Sequence, residues 1–232
     1  KIEAYFAGKD DEHSQSLKEK LYALVSDVLF VPDHSRPGMY HPRISVQNDY
    51  TFLRLHEKEK DAFNNLYNHY YYQRHNDFWY GEAMKKLPIL TQVTQMLVCG
   101  EDLGMVPDCV PWVMNQLQIL SLEIQRMPKQ TGLEFGRLDQ YPYLSVCTIG
   151  THDMSTLRGW WKEDPAQTER YYHNELGHWG EVPSVAPGWV CEEVVRRHLE
   201  CPSMLCILTW QDWLSMDEKM RNPDIQAERI NI

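Results

Sequence analysis

The sequence predicts an α/β fold in which a mostly helical segment precedes half of a (β/α)8 TIM barrel. Three observations support this. Helix-type spacing of apolar residues dominates the first part of the chain, short apolar runs alternate with amphipathic stretches in the second part, and each run ends in polar residues. With 43% apolar residues among 232, the chain can build a sizeable core.

The first part contains two predicted long helices. In residues 14–31 apolar residues recur three and four positions apart, which predicts an amphipathic helix closed by Pro32. Residues 33–48 are rich in Pro, Gly and His and predict a loop with a short extended piece at 43–46. Residues 58–84 predict the second helix. We interpret its aromatic stripe as core, with a ligand-stacking platform as the alternative.

The second part contains four predicted strands. They are residues 96–100, 121–126, 144–149 and 204–210, and Pro111 starts a helix over 110–117 between the first two. The first strands begin about 25 residues apart, close to one β-α repeat, which favours parallel pairing. An open doubly wound sheet is the structural alternative, but no glycine-rich phosphate loop occurs in the sequence.

Charge and cysteine usage exclude several functions. The 33 acidic and 23 basic residues give a net charge of −10, which disfavours a nucleic-acid partner. The longest strictly apolar run, residues 204–208, is too short for a membrane helix. Several of the six cysteines lie inside apolar runs, so we expect buried free thiols and a cytoplasmic setting. No metal site and no cofactor are expected, because neither C-x-x-C nor H-E-x-x-H occurs.

Chemically capable residues follow the predicted strands, where the strand ends of a barrel converge on one face. Glu101 and Asp153 are a pair of carboxylates suited to glycosidic bond cleavage, one as a protonated acid and one as a charged stabiliser. The alternatives are a helix N-terminal region for Glu101 and Asp102 and a plain turn for His152 and Asp153. The polar residues at the four ends are Glu101 and Asp102, Gln125 and Arg126, His152 and Asp153, and Gln211 and Asp212.

Three motifs in order resemble one known family. Residues 99–107 read Cys-Gly-Glu-Asp-Leu-Gly-Met-Val-Pro, residues 124–128 read Ile-Gln-Arg-Met-Pro, and residues 151–161 read Thr-His-Asp-Met-Ser-Thr-Leu-Arg-Gly-Trp-Trp. Together with the Tyr-His-Pro-Arg segment at 40–43 and residues 70–87, they resemble the 4-alpha-glucanotransferases of glycoside hydrolase family 77. The similarity is to the long, multi-domain branch of amylomaltases and disproportionating enzymes, and it spans nearly the whole chain.

The resemblance implies a role for each matching residue. Glu101 would be the general acid/base after the fifth barrel strand, and Asp153 the transition-state stabiliser after the seventh. His152 would hydrogen-bond the donor sugar, and we expect Asp102, Trp160, Gln211 and Asp212 to contact substrate as well. Trp160, Trp161 and Tyr141 are candidates for stacking an acceptor sugar, with ordinary packing as the alternative. The implied partners are alpha-1,4-glucans and maltooligosaccharides.

The family's aspartate nucleophile, carried in an Arg-x-Asp-His pattern, does not occur in the chain. Asp33-His34 is superficially similar, but Val31 and Pro32 precede it, so we interpret Asp33 as a loop residue. We therefore expect a segment of a longer polypeptide. Residues 1–95 would be a helical connection between barrel strands four and five, and 96–232 the second half of the catalytic barrel. Such a chain would pair with its missing half or with another copy.

Two other functions remain open from the sequence. A plain alpha-glucan hydrolase of the amylase group uses the same acid and stabiliser, and only a product profile separates hydrolysis from transfer. A non-catalytic sugar-binding or interaction fragment is the third possibility, because the nucleophile is missing.

Overall fold

The computed structural model describes residues 1–104 and 106–231. The chain divides into two compact units, Lys1–Phe78 and Trp79–Ile232. The boundary between the units falls within a helix. The assignment of residues 1–95 to a connection between two barrel strands stays a prediction.

The first unit is mainly helical around a small core. Its elements are α1 (Ile2–Phe6), α2 (Glu12–Ser26), β1 (Phe30–Pro32), β2 (Tyr40–Pro42), α3 (Tyr50–Leu53) and α4 (Glu57–Asn68). Asp11 caps α2 by accepting the Ser14 N–H at 2.9 Å. The predicted first helix is confirmed but ends earlier, because residues 30–32 pair with β2 in an antiparallel ladder. The core comprises Val46, Phe52, Phe63 and Tyr67.

The second predicted helix is longer than expected. A π-helical segment, His69–Arg74, joins α4 to α5 (His75–Gln92), which continues past Pro88. The aromatic stripe is core only in part, since Phe63 is buried while Phe78 is 61% exposed. The extended piece predicted at 43–46 is wrong: the strand is β2, and Val46–Asn48 form a 3-10 turn.

A parallel sheet organises the second unit. It contains β3 (Ser121–Ile124), β4 (Ser145–Thr148) and β5 (Leu205–Cys206) in the order β3-β4-β5. The first predicted strand is reduced to one parallel bridge, Cys99 with Leu120, flanked by two backbone hydrogen bonds of 2.8 and 2.9 Å. Parallel pairing of the four runs in chain order is therefore confirmed. The β/α class is confirmed, while the barrel and its second half stay predictions.

Five helices of the second unit alternate with the parallel strands or follow them. They are α6 (Cys109–Leu117), α7 (Leu157–Glu163), α8 (Pro165–Arg170), α9 (Gly188–Leu199) and α10 (Trp210–Leu214), with a π-helical segment at Tyr171–Glu175. Ile149 at the end of β4 packs with Leu157, Trp161 and Val190 into one buried cluster. The last predicted strand is too long, because Thr209 caps α10.

Candidate active site

The ends of the parallel segments place the predicted catalytic residues at one edge of the sheet. Glu101 follows the bridge at Cys99, and Asp153 comes five residues after Thr148, the last residue of β4. β3 lies between these two segments. With about 4.8 Å between neighbouring strands, the segments carrying the two carboxylates stand about 10 Å apart.

Glu101 lies in an exposed turn. Its Oε1 accepts the backbone N–H of Leu103 at 2.9 Å. Gly100 before it lies close to α6, and an added Cβ would come within 2.9 Å of Met114 Cε and 3.3 Å of Ile119 Cγ2. The first residue of the turn is thus packed against α6, while the Glu101 carboxyl group faces solvent.

Asp102 points the other way and anchors the turn. It is 6% exposed, and its Oδ1 accepts the Leu122 N–H of β3 at 2.9 Å. Its Oδ2 accepts the Lys129 ammonium at 2.7 Å, and Lys129 also pairs with Glu123 at 2.8 Å. Both oxygens are engaged in tying the Glu101 turn to the sheet. The substrate contact expected for Asp102 stays a prediction.

His152 and Asp153 lie side by side and are both exposed. His152 Nε2 is 3.1 Å from Asp153 Oδ2. Asn231 donates from Nδ2 to Asp153 Oδ1 at 2.8 Å and from its backbone N–H to the His152 carbonyl at 3.2 Å. The Asp153 side chain is 71% exposed, so its remaining lone pairs are open to sugar hydroxyls. The C-terminal residues therefore help to orient this carboxylate.

Arg126 is one of the polar strand-end residues of the sequence, which assigned it no role. It follows β3, and its guanidinium donates to the carbonyls of Ile149 and Ser155, which bracket the His152-Asp153 turn. Burial lowers the pKa of Arg126, and the nearby Asp212 carboxylate opposes that shift. The available signal was its place in the Ile-Gln-Arg-Met-Pro motif at a strand end.

Asp212 and Gln211 make hydrogen bonds within the protein, Asp212 at the start of α10 and Gln211 to the segment near Glu228. Asp212 is buried, and its Oδ2 accepts the N–H and hydroxyl of Thr209 at 3.1 and 2.9 Å. Burial raises the pKa of Asp212. Gln211 Nε2 donates to the Glu228 carbonyl at 3.3 Å. Their expected contacts with substrate stay predictions.

The aromatic candidates are buried, and the two tryptophans pack against other rings. Trp160 is 7% exposed, meets Phe135 and Tyr171 edge to face, and donates from Nε1 to Gln167 at 3.1 Å. Trp161 and Tyr141 are buried too. An open ring does stand at the strand ends: Trp210, directly after the β5 connection, is 72% exposed. The sequence feature that could have indicated Trp210 is its position as an aromatic residue at the end of a predicted strand.

Asp33 occupies a turn between β1 and β2, as predicted for a loop residue. Its Oδ1 accepts the Ser35 N–H and hydroxyl, and its Oδ2 accepts Arg36 Nε. These hydrogen bonds hold the pKa of Asp33 well below its usual range. His41 Nε2 lies 3.0 Å from the same oxygen. The carboxylate is fully engaged in closing the turn.

Comparisons with known proteins agree on one family. The family model described as 4-alpha-glucanotransferase, glycoside hydrolase family 77, matches residues 18–231. The chain is 37% identical over 220 residues to 4-alpha-glucanotransferase DPE2 of Oryza sativa subsp. japonica, covering 95% of this chain and 23% of that protein. It is 38% identical over 104 residues to 4-alpha-glucanotransferase of Haemophilus influenzae, covering 45% and 14%.

Solved amylomaltase structures show a weaker similarity. That of Streptococcus agalactiae in complex with acarbose has a TM-score of 0.40 at 21% identity, covering 50% of this chain and 23% of its own. That of Corynebacterium glutamicum has a TM-score of 0.41 at 18% identity, covering 54% and 23%.

The chain spans about a quarter of the rice relative and less of the Haemophilus protein. Within the described residues, no helix combines the length and apolar character needed to cross a membrane. Since the family model covers nearly the whole sequence, the chain belongs to the 4-alpha-glucanotransferases of glycoside hydrolase family 77.

Proposed function

We propose that this chain is the part of a 4-alpha-glucanotransferase that carries the acid/base Glu101 and the transition-state stabiliser Asp153. The observation that carries the proposal is the placement of both carboxylates, exposed, after segments of one parallel sheet. The family match supports the reaction class. The substrates would be alpha-1,4-glucans, including maltooligosaccharides, glycogen and starch.

The reaction would be a retaining double displacement. An aspartate nucleophile outside these residues attacks the anomeric carbon while Glu101 gives its proton to the glycosidic oxygen, and the shortened chain leaves as an alcohol. The glycosyl-enzyme ester remains. Glu101, now a carboxylate, takes the proton of an acceptor hydroxyl, whose oxygen attacks the anomeric carbon and releases the nucleophile.

Asp153 would act while the sugar ring flattens. Its carboxylate accepts hydrogen bonds from the sugar hydroxyls, and these strengthen as positive charge develops on the ring. His152 would hydrogen-bond the same sugar. Trp210 offers a face on which an acceptor sugar can stack, which favours transfer over attack by water.

The segment around Cys99 lies at the side of the sheet, and its partner there would be the rest of a barrel or a second copy of the chain. Exposed apolar side chains gather where the bridge at Cys99 begins: Val93 is 73% exposed, Met96 77% and Leu97 59%. A hydrophobic edge of this kind favours association. We further propose a cytoplasmic setting, which the six free cysteines support.

The test is a product profile of the full-length protein incubated with maltose and glycogen. We expect both longer and shorter oligosaccharides, and a loss of about 100-fold or more in Glu101→Gln and Asp153→Asn. Glu192→Gln, an exposed carboxylate on α9, is the matched control and keeps full activity. Short products alone would identify a hydrolase, and glucan binding without turnover a non-catalytic module. The 232-residue chain alone is expected to be inactive.

A further inference from the structure

We infer that Arg126 is a positioning residue for Asp153: its guanidinium spans the turn that carries His152 and Asp153 and holds both ends of it. This inference rests on the proposed function, because it concerns the residue assigned there to the transition state. Arg126 itself belongs to the neighbouring strand end and is not expected to touch the sugar.

The hydrogen bonds of Arg126 bracket the turn. Nε and Nη2 donate to the Ile149 carbonyl at 3.2 and 3.0 Å, and Nη2 also donates to the Ser155 carbonyl at 2.9 Å. Ile149 precedes the turn and Ser155 follows it, so one rigid planar group fixes the distance between the two ends. Asp153 lies between them, four residues from one anchor and two from the other.

Gly150 provides the space for this contact. A Cβ built on Gly150 would stand 2.5 Å from Arg126 Nη2 and 3.6 Å from the Ser155 carbonyl oxygen. Any side chain at this position therefore displaces either the guanidinium or the backbone of the turn. Gly150, after β4, therefore leaves the space that the Arg126 side chain, after β3, occupies.

The surroundings of Arg126 hold it in place at a cost. Its guanidinium lies 5.2 Å from the centre of the Trp160 ring, and the carboxylates of Asp212 and Glu163 act on its charge, Asp212 the more strongly. Asp212 is 2% exposed and already accepts two hydrogen bonds from Thr209. Burying such a cation costs free energy, and removing it alone would leave the buried Asp212 carboxylate without its charge and the two turn carbonyls without their donor. The contacts that offset the burial of Arg126 are therefore the same ones that tie it to the turn.

The test compares Arg126→Met, Arg126→Lys and Gly150→Ala in the full-length protein, with Arg170→Met as matched control. Arg170 makes an exposed ion pair with Glu134 away from the turn. Two quantities are measured: amide hydrogen exchange of residues 150–156 without substrate, and kcat and KM for transfer. Circular dichroism establishes that each variant is folded.

We expect exchange in residues 150–156 to rise at least about tenfold in Arg126→Met and Gly150→Ala. We expect kcat to fall about 10- to 100-fold while KM changes less. A displaced Asp153 binds the transition state less well, whereas its binding of the ground-state substrate changes little. Arg126→Lys should recover part of kcat, since one ammonium can still reach one carbonyl. Arg170→Met should change neither quantity.

Unchanged amide exchange of residues 150–156 in the folded Arg126→Met and Gly150→Ala proteins would overturn the inference. A rise in KM as large as the fall in kcat would overturn it as well. If Arg126→Met does not fold, Gly150→Ala and Arg126→Lys decide the question. A wild-type protein without glucan transfer would overturn the proposed function instead, and the exchange measurement would still show whether Arg126 orders the turn.

Discussion

The two turns that carry the proposed catalytic carboxylates are held in different ways. The Glu101 turn is fixed by its own neighbour, since the buried Asp102 reaches back to Leu122 and Lys129. The Asp153 turn is fixed from outside, by Arg126 on one side and Asn231 on the other. Glu101 itself makes one hydrogen bond within its turn, whereas Asp153 has a partner on each oxygen.

The difference matches the tasks proposed for the two residues. An acid/base gives and takes a proton in successive steps, and a single hydrogen bond to one oxygen leaves the other oxygen of its carboxyl group free to do so. A stabiliser works best when it is oriented before the charge develops, because no reorganisation is then needed. The comparison predicts that distant substitutions disturb Asp153 more than Glu101.

The largest effect is expected at the buried ion pair behind the Asp153 turn. Glu228 pairs with Arg158, with both side chains under 10% exposed, and Glu228 Oε2 also accepts the Thr156 hydroxyl at 3.1 Å. Glu228→Gln leaves the Arg158 charge uncompensated and should lower the free energy of unfolding by about 3 kcal/mol. Urea denaturation measures it. Glu134→Gln, in an exposed Arg-Glu pair, is the control and should cost less than about 1 kcal/mol.

A smaller effect is expected from releasing the Glu101 turn. Asp102→Ala leaves the Leu122 N–H and the Lys129 ammonium without this partner, and should cost about 1 to 3 kcal/mol in urea denaturation. The exchange of residues 101–104 should rise, while that of 150–156 should not. Faster exchange in both turns would contradict the separate anchoring described above.

A few-fold effect is expected at the outer anchor of Asp153. Asn231→Ala removes the hydrogen bond to Oδ1 and should lower kcat for transfer several-fold, the equivalent of about 1 kcal/mol. Asn231→Asp places a like charge beside Asp153 and should lower it further. If both variants kept the kcat of the wild type, Asn231 would not orient the Asp153 carboxylate.

The last effect appears only on acidification and concerns the buried base near Arg126. Burial lowers the pKa of His198 to about 4, and the Arg126 charge acts in the same direction. Below about pH 6.5 the unfolded chain binds a proton that the folded chain does not, so stability is lost as pH falls from 6.5 towards 4. His198→Leu should flatten this dependence in urea denaturation. His13→Leu, at an exposed histidine, should leave it unchanged.

Much of the sheet could be predicted from the sequence because buried parallel strands are short apolar runs. Residues 144–149 contained β4 whole, and Ser145 and Cys147 are fully buried. The run 96–100 is apolar as well, yet only Cys99 forms a bridge. Among the described residues this run pairs on one side only, with Leu120 just before β3. Periodicity shows which residues can be buried, but not how many neighbours a strand finds.

The site was predictable where a motif names the residue and not where packing decides the role. The motifs at strand ends name Glu101 and Asp153, and the catalytic roles of both residues stay predictions. Trp160 follows the same turn in sequence, and only the fold shows that helix α7 turns its ring into the core. Arg126 resembles any polar residue at a strand end until its guanidinium is seen on the carbonyls of a turn far along the chain.

The most direct test of the central claim is a crystal structure of the full-length Glu101→Gln protein with a bound maltooligosaccharide. We predict that the side chain at position 101 lies within about 3 Å of a glycosidic oxygen. Asp153 should accept hydrogen bonds from hydroxyls of the sugar on the donor side of that bond. An ordered glucan bound with either side chain out of reach of it would contradict the account.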